Sequence, residues 1–111
     1  IAEYPGLKLC EPVGYLEFLA LQSQARVVMT DSGGIQEETT ALGIPCMTLR
    51  DNTERPITIT EGTNTLVGRD ATKILEVFQG IMKDGGKSGQ VPELWDGKTA
   101  ERVVTAIEAL V

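Results

Sequence analysis

Val27-Val28-Met29-Thr30-Asp31-Ser32-Gly33-Gly34-Ile35-Gln36-Glu37-Glu38 decides the fold: a short apolar strand breaks at two glycines into a helix with a polar head. Glycines admit close approach of a ligand to the backbone. The first-turn N–H groups of a helix lack intrahelical partners and lie at the positive end of its dipole. Such a turn is a phosphate cradle in outline. It is equally the form of a plain strand-to-helix turn, with Asp31 or Ser32 as N-cap and the glycines supplying unusual dihedrals.

Working outward, Leu7-Lys8-Leu9-Cys10 reads as a short strand ending at Glu11-Pro12. Leu16, Phe18, Leu19, Leu21 and Ala25 give a helix with an apolar face, entered near Gly14. The continuous apolar stretch from Arg26 to Thr30 suits a buried parallel strand. The helix after Gly34 carries Ile35, Thr39 and Leu42 on one side and stops at Gly43, with Pro45 beyond. Cys46 to Leu49 is the next strand, followed by a charged loop from Arg50 to Arg55. Pro56 to Glu61 is read as a helical turn, although Ile57-Thr58-Ile59-Thr60 is β-rich. Thr65-Leu66-Val67 is a fourth short strand, and Asp70 then caps a helix carrying Ile74, Leu75, Val77, Phe78, Ile81 and Met82. A glycine-rich loop over Lys83 to Gln90 precedes a last helix from Thr99 to Leu110. Strands alternating with helices at these spacings predict an α/β fold: a three-layer parallel sheet with helices on both faces.

A chain of 111 residues, 41 % hydrophobic, buries one modest core, as a single domain or a piece of a larger one. It begins at Ile1 without an initiator methionine, so a segment of a longer protein is expected. The net charge of −6 leaves no basic patch and argues against nucleic acid. A small anion is still within reach of backbone N–H groups and one or two arginines. With no histidine, Ser-His and Cys-His pairs and His-containing zinc sites are excluded within this chain. Cys10 and Cys46 lie in or beside apolar runs and read as reduced, buried thiols. No metal and no cofactor are expected. No run approaches a membrane span and no signal peptide is visible, so no membrane partner and a cytoplasmic location are expected.

Glu38 lies one helical turn beyond Gly34, ~6 Å along the axis, where a carboxylate accepts hydrogen bonds from ribose hydroxyls while the helix N-terminus holds phosphates. Arg55, beyond the next strand, is placed to reach the same crevice. Glu37 and Glu38 point about 100° apart on a helix and form no acid/base dyad; Glu37 reads as solvated or structural. Glu54 and Arg55 read as a surface ion pair or as site residues, the latter favoured by their place after a strand end. Gly97-Lys98-Thr99 lacks the glycine and strand that a Walker A loop requires, and Asp96-Gly97 reads as the start of the last helix. Trp95 reads as a packing anchor, and Phe18 as core or as the flank of a base.

Glu11-Pro12 with Tyr15-Leu16 and Phe18, Thr30 to Glu38, Gly43-x-Pro45, Arg50-Asp51-Asn52-Thr53-Glu54-Arg55-Pro56, Gly62-Thr63-Asn64 and Leu66-Val67-Gly68 together resemble the UDP-N-acetylglucosamine 2-epimerase family. The resemblance spans nearly the whole chain and corresponds to the C-terminal part of a two-domain protein in the GT-B arrangement. It implies that residues 1–111 are a fragment of a C-terminal, UDP-binding, Rossmann-like domain. The activity implied is interconversion of UDP-GlcNAc and UDP-ManNAc, by elimination of UDP to a 2-acetamidoglucal and its re-addition with C2 inverted. It also implies that Ser32, Gly33 and Gly34 contact the diphosphate, Glu38 the ribose, Arg55 the charged part of the substrate, and Val13 and Phe18 the uracil, with UDP-GlcNAc or UDP as the ligand. Val13 stands where many of the family carry glutamine, and Ile57 where many carry glutamate. The acidic residues and histidine credited with proton transfer precede this segment in the family, so the fragment alone is expected to be inactive.

Two other readings share the cradle: a stand-alone nucleotide-binding or interaction module, and part of a GT-B glycosyltransferase. The Thr-Glu-Arg-Pro and Gly-Thr-Asn signatures fit the epimerases better than the glycosyltransferases. In the usual 3-2-1-4-5-6 strand order, residues 7 to 10 would be strand 3, and the two strands between it and residues 26 to 30 would be missing. The exposed edge is then expected to be covered either by direct pairing of those two strands or by homo-oligomer formation.

Overall fold

The computed structural model describes residues 4–111. In chain order its elements are α1 (Tyr15–Gln24), β1 (Val28–Thr30), α2 (Gly33–Leu42), β2 (Cys46–Thr48), α3 (Ile57–Thr60), β3 (Asn64–Leu66), α4 (Ala71–Asp84) and α5 (Thr99–Leu110). The strands form one parallel sheet in the order β1-β2-β3, with Met29 beside Met47 and Met47 beside Thr65.

Alternation along β2 splits the sheet into two unlike faces. Met47 points to the face covered by α4, where it joins Val67 and Ile81, flanked by Val27, Leu49, Ile74, Val77 and Phe78. Full burial of one such side chain stabilises by roughly 1.5–3 kcal/mol. Cys46 and Thr48 point the other way, toward α2, into a layer made of Gln36, Thr39, Thr40, Thr58 and Asn64, all buried. Helices therefore lie on both faces, giving the three layers that the sequence pattern predicts.

Local chemistry ends the helices where expected. Gly43, at φ 74°, takes the left-handed conformation that stops α2, and its N–H bonds the carbonyls of Thr39 and Thr40. The Asp70 carboxylate accepts from the Thr72 N–H at 2.9 Å and starts α4. The Pro56–Glu61 segment is helical, as read, because Thr58 and Ile59 return their N–H groups to Arg55 and Pro56. None of the described helices is long and apolar enough to cross a membrane.

Two expectations are corrected. Residues 7–10 are not a strand: they are irregular and Leu9 is 71 % exposed. Apolar alternation makes a strand only with a ladder partner, and among the described residues β1 pairs with β2 alone. Direct pairing of residues 7–10 with β1 is thus not how the outer edge is covered. Cys10 is exposed rather than buried, whereas Cys46 is fully buried, which pushes its thiol pKa up.

Candidate functional site

The turn between β1 and α2 is built on Ser32, the N-cap of α2, whose backbone is extended and whose side chain makes no capping bond. The Ser32 N–H donates to the Thr30 hydroxyl at 3.0 Å, which fixes the exit of β1. The first-turn N–H groups of α2 therefore keep open donors at the positive end of the helix.

Gly33 and Gly34 are not in the left-handed region, so backbone strain does not require them. What they provide is space. A Cβ on Gly33 would lie 3.6 Å from the Arg55 guanidinium carbon, and a Cβ on Gly34 would meet nothing within 4 Å. The chain thus brings Ser32, Gly33, Gly34 and Arg55 together, with a cation beside an uncovered helix N-terminus.

Arg55 is held there by Glu37, whose Oε1 accepts from Nε at 2.8 Å. That hydrogen bond raises the Arg55 pKa further and keeps the guanidinium charged. Of the two readings of Glu54 and Arg55, the surface ion pair between them is not formed. Glu54 instead accepts two bonds from Arg50, at 2.9 and 3.2 Å, which lower its carboxyl pKa. The reason is geometric: Glu54 faces back along its own loop to Arg50, while Arg55 starts the α3 turn and faces α2.

Glu38 is half-buried on α2, and its Oε1 accepts from Gln22 Nε2 of α1 at 3.3 Å. Gln22 is itself almost fully buried, with Oε1 lacking a partner among the described residues. Phe18 is half-buried on α1, and Val13 is 44 % exposed just before it. Of the expected site residues, no described side-chain contact joins Val13, Phe18 or the Glu38 carboxylate to the cradle, and Glu38 is tied instead to Gln22 of α1.

A cleft of about 480 Å³ opens at the carboxyl ends of the strands, lined by Asp31, Leu49, Arg50, Asp51, Asn52 and Arg69. A second of similar size continues past Gly68 to Asp70 and Lys73. Crevices at this end of a parallel sheet are where open α/β folds bind ligands. The cradle adjoins the first cleft through Asp31 but does not line it; Ser32 and Gly34 are open to solvent.

Sequence reasoning missed the support beneath the cradle. Gln36 donates to the Ser32 carbonyl at 3.1 Å and accepts from Thr53 and Asn64 at 2.6 and 3.0 Å. The available signal was a polar run, Gln36, Thr39 and Thr40, at the three- and four-residue spacing of a buried helix face.

The family model described as UDP-N-acetylglucosamine 2-epimerase matches residues 1–108. The chain is 48 % identical over 98 residues to a Methanocaldococcus jannaschii UDP-N-acetylglucosamine 2-epimerase, covering 88 % of this chain and 26 % of that protein. The Escherichia coli K12 UDP-N-acetylglucosamine 2-epimerase is 38 % identical over 104 residues, covering 90 % of this chain and 28 % of the relative. Among solved structures, the M. jannaschii enzyme in complex with UDP-GlcNAc and UDP superposes with a TM-score of 0.83 at 41 % identity, over 97 % of this chain and 29 % of that one. An S. aureus MnaA–UDP co-structure gives the same TM-score at 26 % identity, over 97 % of this chain and 30 % of that one. The chain therefore spans between a quarter and a third of the length of these relatives, and its fold is the partial Rossmann-like unit of a GT-B-type protein.

Proposed function

Because this chain belongs to the UDP-N-acetylglucosamine 2-epimerase family, we propose that it is the UDP-gripping portion of an enzyme that interconverts UDP-GlcNAc and UDP-ManNAc. In this reading, residues 1–111 are a segment of the C-terminal, Rossmann-like domain. Ser32, Gly33 and Gly34 receive the diphosphate, Arg55 neutralises it, Glu38 accepts from the ribose hydroxyls, and Val13 and Phe18 border the uracil.

The reaction begins with loss of the proton on C2 and cleavage of the C1–O bond, UDP departing with the electron pair to leave a 2-acetamidoglucal. Re-addition of UDP to C1 and return of a proton to the opposite face of C2 complete the inversion. Negative charge grows on the β-phosphate as the bond breaks. Fixed N–H donors and a guanidinium match that growing charge better than the ground state, and this difference is what lowers a barrier. The α2 N-terminus and Arg55 thus serve as the leaving-group site. With no histidine in the chain, the histidine of the family's proton-transfer set is supplied from elsewhere in the protein, and this segment is inactive alone.

The single observation that carries the reading is the Arg55 guanidinium standing 3.6 Å from the Cβ position of Gly33, over an uncapped helix end. Calorimetric titration with UDP tests it. Arg55→Ala is expected to weaken UDP by about ten- to a hundredfold, the usual effect of losing a charged hydrogen-bond partner. A well-folded wild-type protein that gives no heat at millimolar UDP would sink the assignment.

A further inference from the structure

Arg55 can serve a diphosphate only if its backbone is fixed, and that backbone is bracketed by two threonine hydroxyls. Its N–H donates to Thr53 Oγ1 at 2.9 Å, and its carbonyl accepts from Thr58 Oγ1 at 2.7 Å. Both hydroxyls run inward to one buried amide pair. Thr53 Oγ1 donates to Gln36 Oε1 at 2.6 Å, and Thr58 Oγ1 accepts from Asn64 Nδ2 at 3.1 Å. Asn64 Nδ2 also donates to Gln36 Oε1 at 3.0 Å, and its Oδ1 accepts from Thr48 of the central strand at 2.5 Å. Gln36, Thr48, Thr58 and Asn64 are all fully buried.

The remaining link closes the circuit. Gln36 Nε2 donates to the carbonyl of Ser32, the N-cap residue of the cradle. One side chain therefore touches both halves of the anion site, the α2 N-terminus and the loop that carries Arg55. Every polar atom of Gln36 and Asn64 is used, so neither amide can rotate without leaving a buried group unpaired. Elsewhere, pairing of such groups would be read as fold support alone. Here the pairs end on the two backbone atoms of the one arginine that faces Gly33.

We infer that Gln36 and Asn64, acting through the hydroxyls of Thr53 and Thr58, form a positioning relay that sets Arg55 against the Ser32-Gly33-Gly34 turn; this rests on the UDP reading above. Gln36 and Thr53 are positioning residues, since neither is required to touch the ligand. The relay makes the affinity for the diphosphate depend on a hydroxyl that does not bind it.

A double-mutant cycle read by UDP calorimetry tests this in the full-length protein. Thr53→Val removes the hydroxyl and is expected to weaken UDP about five- to tenfold, as for one lost hydrogen bond, while uridine affinity stays constant. Thr53→Ser is expected to restore wild-type UDP affinity. With Arg55→Ala already present, Thr53→Val is expected to have no further effect, because its action passes through Arg55. Should Thr53→Val not fold, Thr53→Ala removes the same hydroxyl with less bulk and enters the same cycle. An undiminished Thr53 effect in the Arg55→Ala background overturns the relay and leaves the UDP reading standing. Failure of Arg55→Ala itself to weaken UDP overturns the reading beneath and the relay with it.

Discussion

The two faces of the sheet are built from opposite materials. Under α4 lie Met47, Val67 and Ile81 with their apolar neighbours, and their attraction is non-directional. Under α2 lie Gln36, Thr39, Thr40, Thr48, Thr58 and Asn64, equally buried yet held by hydrogen bonds with fixed partners. An apolar layer contributes stability in proportion to area and tolerates small rearrangements. A satisfied polar layer adds little net stability per bond but admits one arrangement, because every alternative strands a buried donor or acceptor. The site sits on the polar side, and that is the face able to hold Arg55 and the α2 turn in register.

This division of labour can be broken most directly at Met47. Met47→Ala is expected to lower folding stability by about 2–5 kcal/mol, measured by denaturant titration, with UDP affinity of the folded fraction unchanged. A loss of UDP affinity as large as that from Thr53→Val would mean that the apolar face also sets site geometry. A smaller effect, in the opposite sense for stability, is expected at Gly34. Gly34→Ala meets no atom within 4 Å in a helical conformation. Thermal stability should hold or rise by up to about 1 kcal/mol. UDP should weaken about tenfold as the methyl group enters the space above the turn. Loss of stability there would show that the glycine serves the fold and not the ligand.

The smallest effect sharpens the contrast from within the polar face. Cys46 is buried there, beside Thr48, and burial raises its thiol pKa above the ordinary 9.0. A raised pKa in the fold leaves stability intact below 9.0 and removes it as pH climbs toward the folded value, because only the unfolded thiol ionises in that window. Denaturation midpoints should therefore fall on the alkaline side in wild type and fall less in Cys46→Ala. Equal declines in both would show that the thiol is not the group responsible. Exposed Cys10 should meanwhile react with a thiol reagent in the native protein while Cys46 does not.

Elements governed by local rules are legible from residue order. The strand that breaks at Gly33-Gly34, the stop at Gly43 and the Asp70 cap stand where local chemistry places them, and the last helix covers Thr99–Leu110 as its periodicity predicts, although it starts after Asp96-Gly97 and without a side-chain cap. The motifs from Thr30 to Gly68 likewise carried the family. Which groups meet depends on the folded chain. Glu37 and Arg55 are 18 residues apart, Gln36 and Thr53 17, and Gln36 and Asn64 28. No periodicity encodes such distances, and it is the fold that sets Glu54 against Arg50 while Arg55 meets Glu37. Residues 7–10 failed for the same reason, since a strand exists only where another strand supplies its hydrogen bonds. Local sequence fixes what a segment can be, and the burial of polar groups among distant partners decides what it does.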